Sequence, residues 1–169
     1  MSGINAEKLI VALDLSDPGR AIELAALLSP LGVGFKIGLE LYLSGGSSLV
    51  AKMSEQYSIF LDLKFHDIPN TVAAAARLAA SMGVWMFNIH AAGGRNMILA
   101  AREAVDRSAS KPLLIAVTVL TSLDKEDLVE TGLNGNTGEQ VIRLAGLAAE
   151  CGLAGVVWPR AAGQPHMIE

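Results

Sequence analysis

The sequence predicts an α/β fold of the (β/α)8 TIM-barrel type, here incomplete with about six strands, and three observations support this class. Strand-like and helix-like segments alternate at a spacing of roughly 25 residues, as in folds built from parallel strand–helix units. Polar residues fall within or at the C-terminal ends of successive strands, where barrels carry their functional groups. The segment DLSDPGR after the first strand lacks the G-x-G-x-x-G pattern of a doubly wound dinucleotide-binding sheet.

Six apolar segments predict the strands. The first, LIVALDL, is a near-continuous apolar run that contains Asp14, as expected of a parallel strand covered on both faces. The second is flanked by glycines and contains Lys36. The predicted strands cover residues 9–15, 32–40, 58–65, 84–91, 112–120 and 155–158.

The segments between the strands predict helices. Asp17 is placed to cap the first helix, with Pro18 in its first turn and an apolar stripe after it. The region 41–56 is predicted as a loop through GGSS followed by a helix, and an alanine-rich segment favours a helix from about Asn70 to Ser81. The later helices are expected at about 94–108, 125–130 and 138–150.

The composition favours one globular domain without a nucleic-acid or membrane partner. Of the 169 residues 51% are hydrophobic, enough for a sizeable core, and the net charge of -4 is spread without a basic stripe. The single Cys151 excludes an internal disulfide and fits a reducing compartment. Because neither a signal peptide nor a transmembrane run is found, we expect a cytoplasmic protein whose partners are small molecules or other copies of itself.

The segment FLDLKFHDIPNTV, residues 60–72, carries the strongest chemical signal. Side chains alternate between the two faces of a strand, so Asp62 and Lys64 are predicted to share one face and the apolar residues beside them the other. Asp67 follows where the strand breaks, and its carboxylate is expected to return toward the same lysine. Because such charges are expensive to bury, the pattern indicates a functional site rather than packing.

Five charged residues alternate in sign around one expected cavity: Asp14, Lys36, Asp62, Lys64 and Asp67. Nearby carboxylates favour a charged ammonium group, which makes Lys64 a candidate proton donor. A Schiff-base role is the alternative, although it needs desolvation or a neighbouring cation instead of flanking carboxylates. Metal binding by Asp62 and Asp67 is the weaker interpretation because Lys64 already supplies the counter-charge, so no metal is predicted.

Two histidines and a threonine near this segment are secondary candidates. His90 ends the fourth predicted strand and is a candidate to line the site. His66 is interpreted as structural, because the two histidines lack the i, i+4 helical spacing of a zinc pair. Thr71 begins the helix after the charged loop and is expected either to cap that helix or to pack.

The segments VALDLSD, FKIGLELY, FLDLKFHDIPNTV, GVWMFNIHAAGG and LLIAVTVLTS together resemble orotidine 5'-phosphate decarboxylase of the bacterial type. The resemblance covers residues 8 to about 157, and its DLKFHDIPNT block is highly specific. It implies a (β/α)8 barrel that forms a homodimer and converts the nucleotide orotidylate to UMP and CO2 in pyrimidine biosynthesis. The resemblance also implies that no metal or organic cofactor takes part.

The resemblance assigns roles to individual residues. Lys64 would be the catalytic acid that protonates C6 of the pyrimidine, and Asp62 would sit against the departing carboxylate. Asp67, the third expected catalytic residue, would reach with Thr71 into the neighbouring site of the dimer. The other residues expected to bind substrate are Asp14 and Lys36 at the ribose, Thr121 and Ser122 at the pyrimidine, and also Ile68 and His90.

The sequence departs from the family pattern near its C-terminus. The family's phosphate-binding segments follow strands seven and eight and carry a glutamine, glycines and an arginine, and the sequence has no such segments. We therefore expect a prematurely ended barrel domain at 1–157 and a divergent tail at 158–169, in which Arg160 is not assigned to phosphate. Two alternatives remain, a Mg2+-dependent sugar-phosphate decarboxylase of the same barrel group, and an inactive fragment that at most binds nucleotide. The FHDIPNT segment argues against the first.

Overall fold

The computed structural model describes residues 9–133 and 136–158 and contains one parallel sheet. Its strands are β1 Ile10–Ala12, β2 Gly34–Gly38, β3 Ile59–Phe65, β4 Met86–His90, β5 Leu113–Val117 and β6 Gly155–Val157. Each strand pairs in parallel with the next one along the chain. This is the strand order of a (β/α) barrel, whereas the order reverses in a doubly wound sheet. The predicted fold class is therefore confirmed.

The largest differences from the predicted strand ends are at β1 and β5, which each end three residues earlier than their apolar runs predicted. β1 ends at Ala12 and β5 at Val117, so the predicted ends at 15 and 120 are wrong. Leu13 and Val119 lie beyond these ends, yet both are buried because they pack in the main hydrophobic core of the domain. An apolar run thus marks burial, and it overestimates the length of the hydrogen-bonded ladder.

Within the described residues, six α-helices lie between the strands: α1 Pro18–Leu28, α2 Leu39–Ser54, α3 Pro69–Ser81, α4 Gly94–Asp106, α5 Lys125–Glu130 and α6 Thr137–Glu150. The loop predicted through GGSS is wrong, because α2 already begins at Leu39 and includes these residues. The helix kinks at Gly46, whose φ of 66° lies in the left-handed region that glycine adopts easily. Leu41 and Leu49 are buried on either side of the kink, and this packing offsets the low helix propensity of the glycines.

Apolar residues on the two faces of the sheet form separate clusters. On the helix side, Phe35 and Phe87 are fully buried in the main core. On the opposite face, Phe60, Met86 and Ile115 form a smaller cluster. We call this second surface the inner face. It continues beyond the small cluster toward the C-terminal ends of the strands, where the polar residues lie.

Asp17 caps α1 as predicted, and its removal should be measurable. Its Oδ1 accepts hydrogen bonds from the backbone N–H groups of Gly19 at 2.8 Å and Arg20 at 3.3 Å. We expect Asp17→Ala to lower the free energy of unfolding in urea by about 1 kcal/mol, because both donors lose their acceptor. Glu23→Ala, at an exposed position of the same helix, is the control and should change it by less than about 0.5 kcal/mol. Equal changes in the two variants would contradict the capping role.

The C-terminal tail predicted at 158–169 is described only at Trp158. Arg160 and the rest of that tail lie outside the described residues, so the domain boundary after residue 157 stays a prediction. Within the described ranges, no helix has both the length and the apolar character needed to cross a membrane.

Candidate active site

Three polar residues of neighbouring strands share the inner face. Lys36 on β2 lies beside Phe60 of β3, and Asp62 comes two residues after Phe60. On β4, Asn88 likewise comes two residues after Met86. Because strand side chains repeat every two residues, all three project above the small apolar cluster. The cleft there has a volume of about 290 Å³, and its charged lining residues are Asp14, Lys36, Glu40, Asp62 and Lys64.

Asp62 is the centre of a chain of three ion pairs. Its Oδ1 lies 2.7 Å from Lys64 Nζ and its Oδ2 lies 3.5 Å from Lys36 Nζ. Lys36 Nζ in turn lies 3.1 Å from Asp14 Oδ1. The side chain of Asp62 is 12% exposed, whereas that of Lys64 is 37% exposed. One shielded carboxylate therefore holds two ammonium groups in position and leaves Lys64 accessible from the cleft.

The surroundings of Asp62 favour its ionised form. Burial raises the pKa of Asp62, but hydrogen bonds from Lys64 and Asn88, together with the charges of Lys64 and Lys36, outweigh it. The pKa of Asp62 consequently lies below its usual value near 3.8, and the carboxylate is charged at neutral pH. Among residues 9–133 and 136–158, no three His, Cys, Asp or Glu side chains are grouped so as to hold a metal ion.

The backbone of β3 is irregular at Lys64, which corrects the regular alternation predicted for this strand. Lys64 has a φ of 51°, in the left-handed region. The pairing with β4 shifts between Leu61, opposite Phe87, and Phe65, opposite Ile89, so that β3 contains extra residues over this stretch. A non-glycine residue in this conformation costs free energy, and such strain is concentrated at functional sites. Despite the bulge, the Lys64 side chain still reaches Asp62.

Asn88 is a member of this cluster that the sequence prediction missed. Its side chain is buried on β4, donates from Nδ2 to Asp62 Oδ1 at 2.6 Å and accepts at Oδ1 from the Lys64 backbone N–H at 2.8 Å. A signal was present, since Asn88 is the one amide within the apolar segment VWMFNIHA. A buried polar side chain needs hydrogen-bond partners, and the preceding strand, β3, carries charged residues that can supply them.

Asp67 lies apart from the ion-pair chain. Its Oδ1 accepts a hydrogen bond from the backbone N–H of the adjacent Ile68 at 2.6 Å. In the described part of the chain, no Lys, Arg or His nitrogen lies within 4.0 Å of the Asp67 carboxylate. The expected return toward Lys64 is therefore wrong within one chain. The loop after β3 enters α3 at Pro69 and carries Asp67 to an open surface beside His66.

The hydroxyl residues expected to bind substrate are all exposed. Thr71 is the third residue of α3, whose cap position is Ile68, so the proposed capping by Thr71 is wrong. Thr121 and Ser122 follow β5 in a turn and face solvent. The substrate contacts expected of these residues stay predictions.

His90 and His66 pack against each other beside the ion-pair chain, with ring centroids 5.3 Å apart. Burial lowers the pKa of His90 below its ordinary value of 6.5, because it disfavours the imidazolium form. The charges of His66 and Lys64 lower the pKa of His90 further, and Asp62 opposes them with a weaker effect. His90 is therefore neutral at pH 7, and its contact with His66 means that His66 is not isolated from the site.

Mild acid should destabilise the fold through His90. Because the pKa of His90 is lower in the folded chain, the unfolded chain takes up the proton first as the pH falls. The contribution of neutral His90 to the free energy of unfolding is therefore fully present above about pH 6.5 and is lost as pH falls through the folded-state pKa. An NMR titration should give a His90 pKa below 6.5, and His66→Gln should raise the His90 pKa because it removes the electrostatic effect of His66. A His90 pKa at or above 6.5 in the native chain would contradict this expectation.

Comparison with known sequences identifies relatives across most of the chain. The family model described as Orotidine 5'-phosphate decarboxylase / HUMPS family matches residues 7–168. An orotidine 5'-phosphate decarboxylase from Nitrosospira multiformis is 53% identical over 155 residues, which cover 91% of this chain and 64% of the relative. One from Chromobacterium violaceum is 51% identical over 150 residues, covering 88% and 61%. The chain thus spans less than two thirds of the length of these curated relatives.

Solved structures share the fold at similar coverage. An orotidine 5'-phosphate decarboxylase from Lactobacillus acidophilus matches with a TM-score of 0.79 and 38% identity, covering 88% of this chain and 69% of that one. An uncharacterized conserved protein from Geobacillus kaustophilus matches with a TM-score of 0.80 and 41% identity, covering 88% and 72%. Sequence and structure agree, and the chain belongs to the Orotidine 5'-phosphate decarboxylase / HUMPS family.

Proposed function

We propose that the chain acts as a lyase that decarboxylates orotidine 5'-phosphate to UMP in pyrimidine biosynthesis. The observation that carries the proposal is the chain of ion pairs through Lys36, Asp62 and Lys64 in the cleft on the inner face. Family membership supplies the substrate class, because the relatives that match most of this chain are named for this reaction. The catalytic residues of the proposal are Lys64, Asp62 and Asp67.

The chemistry explains why a fixed ammonium group is needed. The bond between C6 of the pyrimidine and the carboxyl carbon breaks, CO2 leaves, and the electron pair remains on C6, where the ring cannot delocalise it. An ammonium group already oriented beside C6 stabilises this charge as it develops, without reorganisation of solvent. Lys64 then transfers a proton to C6 and becomes a neutral amine, which regains a proton from water. The reaction therefore consumes one proton and needs no electron acceptor.

Asp62 has two roles in this proposal. Its 2.7 Å contact fixes the Lys64 ammonium group, and its charge faces the carboxylate that leaves as neutral CO2. The rest of the substrate contacts residues around the cleft. We assign the ribose to Asp14 and Lys36, the pyrimidine to Thr121 and Ser122, and further contacts to Ile68 and His90.

We also propose a homodimer in which Asp67 and Thr71 enter the neighbouring site. Both side chains are exposed, and the adjacent Ile68 is 66% exposed, which leaves this surface available to a second copy. Asp67 lines the open surface beside His66, and the cleft that Lys36, Asp62 and Lys64 line does not include it, which supports a role for Asp67 elsewhere. We place the protein in the cytoplasm, since the free thiol of Cys151 fits a reducing compartment.

Release of CO2 from carboxyl-labelled orotidylate by the purified chain tests the proposed reaction. We expect release above that of the Lys64→Ala variant, UMP formation in equal amount, and no loss of activity in EDTA. Sensitivity to EDTA would instead favour the Mg2+-dependent alternative. If a folded sample released no CO2 under conditions in which the Nitrosospira multiformis relative is active, the proposal would be overturned.

A further inference from the structure

Asn88 is a buried amide in the middle of an apolar strand. It lies on β4 between Phe87 and Ile89, and its residue is 1% exposed. Placing an amide there is unfavourable unless both its donor and its acceptor are satisfied. The contacts of Asn88 therefore indicate what the side chain does.

Both ends of the Asn88 amide contact the charged strand. The oxygen accepts the backbone N–H of Lys64 at 2.8 Å, and the nitrogen donates to Asp62 Oδ1 at 2.6 Å. A backbone N–H needs an acceptor and a carboxylate needs a donor, so these partners fix the orientation of the amide. One planar group thus fixes the side chain of Asp62 and the backbone of Lys64 relative to each other.

The bulge in β3 explains why a side chain must supply the acceptor. The pairing of β3 with β4 is interrupted between Leu61 and Phe65, so the ladder does not provide a regular carbonyl partner for the Lys64 N–H. Lys64 is at the same time held at a φ of 51°, which a non-glycine residue adopts only when its surroundings stabilise it. The Asn88 oxygen takes the place of the missing ladder acceptor at this point.

We propose that Asn88 is a positioning residue that holds the Lys64 bulge through its oxygen and the Asp62 carboxylate through its nitrogen. It acts through these two residues and does not itself line the cleft. The consequence for catalysis rests on the proposed decarboxylation, whereas the two structural effects do not.

Two variants separate the two ends of the amide. Asn88→Ala removes both contacts, whereas Asn88→Asp has nearly the same shape, keeps an acceptor for Lys64 and loses the donor to Asp62. The readouts are hydrogen exchange at the Lys64 amide and the pKa of the Asp62 carboxyl group, both measured by NMR. Neither depends on activity. Thr118→Val is the matched control, because Thr118 is also buried and donates its hydroxyl to the Val157 carbonyl oxygen at 2.9 Å.

The expected results differ between the variants. Asn88→Ala should speed exchange at the Lys64 amide about tenfold, the equivalent of one lost hydrogen bond, and should raise the pKa of Asp62. Asn88→Asp should leave that amide within about threefold of the native rate while the two neighbouring carboxyl groups keep a proton to higher pH. Thr118→Val should change neither readout. If Asn88→Ala does not fold, Asn88→Asp still tests the proposal. An unchanged pKa of Asp62 in Asn88→Asp would overturn it.

Kinetics separate positioning from substrate binding. In both Asn88 variants we expect kcat for orotidylate to fall by about 10-fold or more with little change in KM, because Asn88 touches the catalytic residues and not the substrate. A rise in KM at constant kcat would overturn the positioning role. If the native chain releases no CO2, the proposed reaction fails, and the two NMR readouts alone decide the role of Asn88.

Discussion

Lys64→Ala is expected to lower decarboxylation by about 10³-fold or more while the chain stays folded. The variant removes both the ammonium group that stabilises the developing carbanion and the proton that C6 receives. The Lys64 side chain is 37% exposed, and Asp62 keeps Lys36 as a partner when Lys64 is removed, so we expect the variant to fold. The measurement is CO2 release at saturating orotidylate, with circular dichroism and urea denaturation to establish that the variant is folded.

The unusual backbone of Lys64 calls for two further variants. Lys111 also has a positive φ, 43°, and is exposed, so Lys111→Ala repeats the same change outside the cleft and should retain full activity. Lys64→Gly removes the ammonium group while relieving the left-handed strain, and should be at least as stable as Lys64→Ala and as inactive. Substantial residual activity in either Lys64 variant would refute its role as proton donor.

The order of the strands and the location of the charged residues followed from short-range patterns. Apolar runs separated by amphipathic segments gave the parallel sheet, because each pattern depends on only a few successive side chains. The placement of Lys36 and Asp62 on one face followed from the period of two along a strand. Their registration across strands was then set by the parallel pairing of β2 with β3.

Features that depend on contacts distant in sequence could not be predicted in the same way. The left-handed φ of Lys64 is stabilised by Asn88, a residue on the next strand, so the sequence of β3 alone predicts a strand without a bulge. In α2 the buried Leu41 and Leu49 outweigh the local preference of GGSS for a loop. The direction of Asp67 depends on how the loop enters α3, which a charge pattern does not encode.

Asp62→Asn is expected to lower decarboxylation by about 10²-fold or more and to destabilise the fold by about 2 kcal/mol at pH 7. Asparagine has nearly the same shape, so the loss is electrostatic. Lys36 and Lys64 lose the carboxylate that they share, and their two cations then face each other across the cleft. Because the folded-state pKa of Asp62 is depressed below its usual value near 3.8, its stabilisation is fully present above that pH and is lost as pH falls through the folded pKa.

The dependence on pH distinguishes a central carboxylate from an ordinary surface pair. Urea denaturation should give a free energy of unfolding for Asp62→Asn that lies below the native value by a constant amount between about pH 5 and 7. The difference should become smaller toward about pH 3, because Asp62 of the native chain then becomes protonated. Asp106→Asn is the matched control, since Asp106 pairs with Arg102 at 2.8 Å on the exposed side of α4 and should contribute less than about 0.5 kcal/mol. The carboxylate of Asp62 would have only a packing role, and would not organise the two ammonium groups, in either of two cases. One is an equal loss of free energy of unfolding in the two variants, and the other is a loss for Asp62→Asn that stays unchanged in acid.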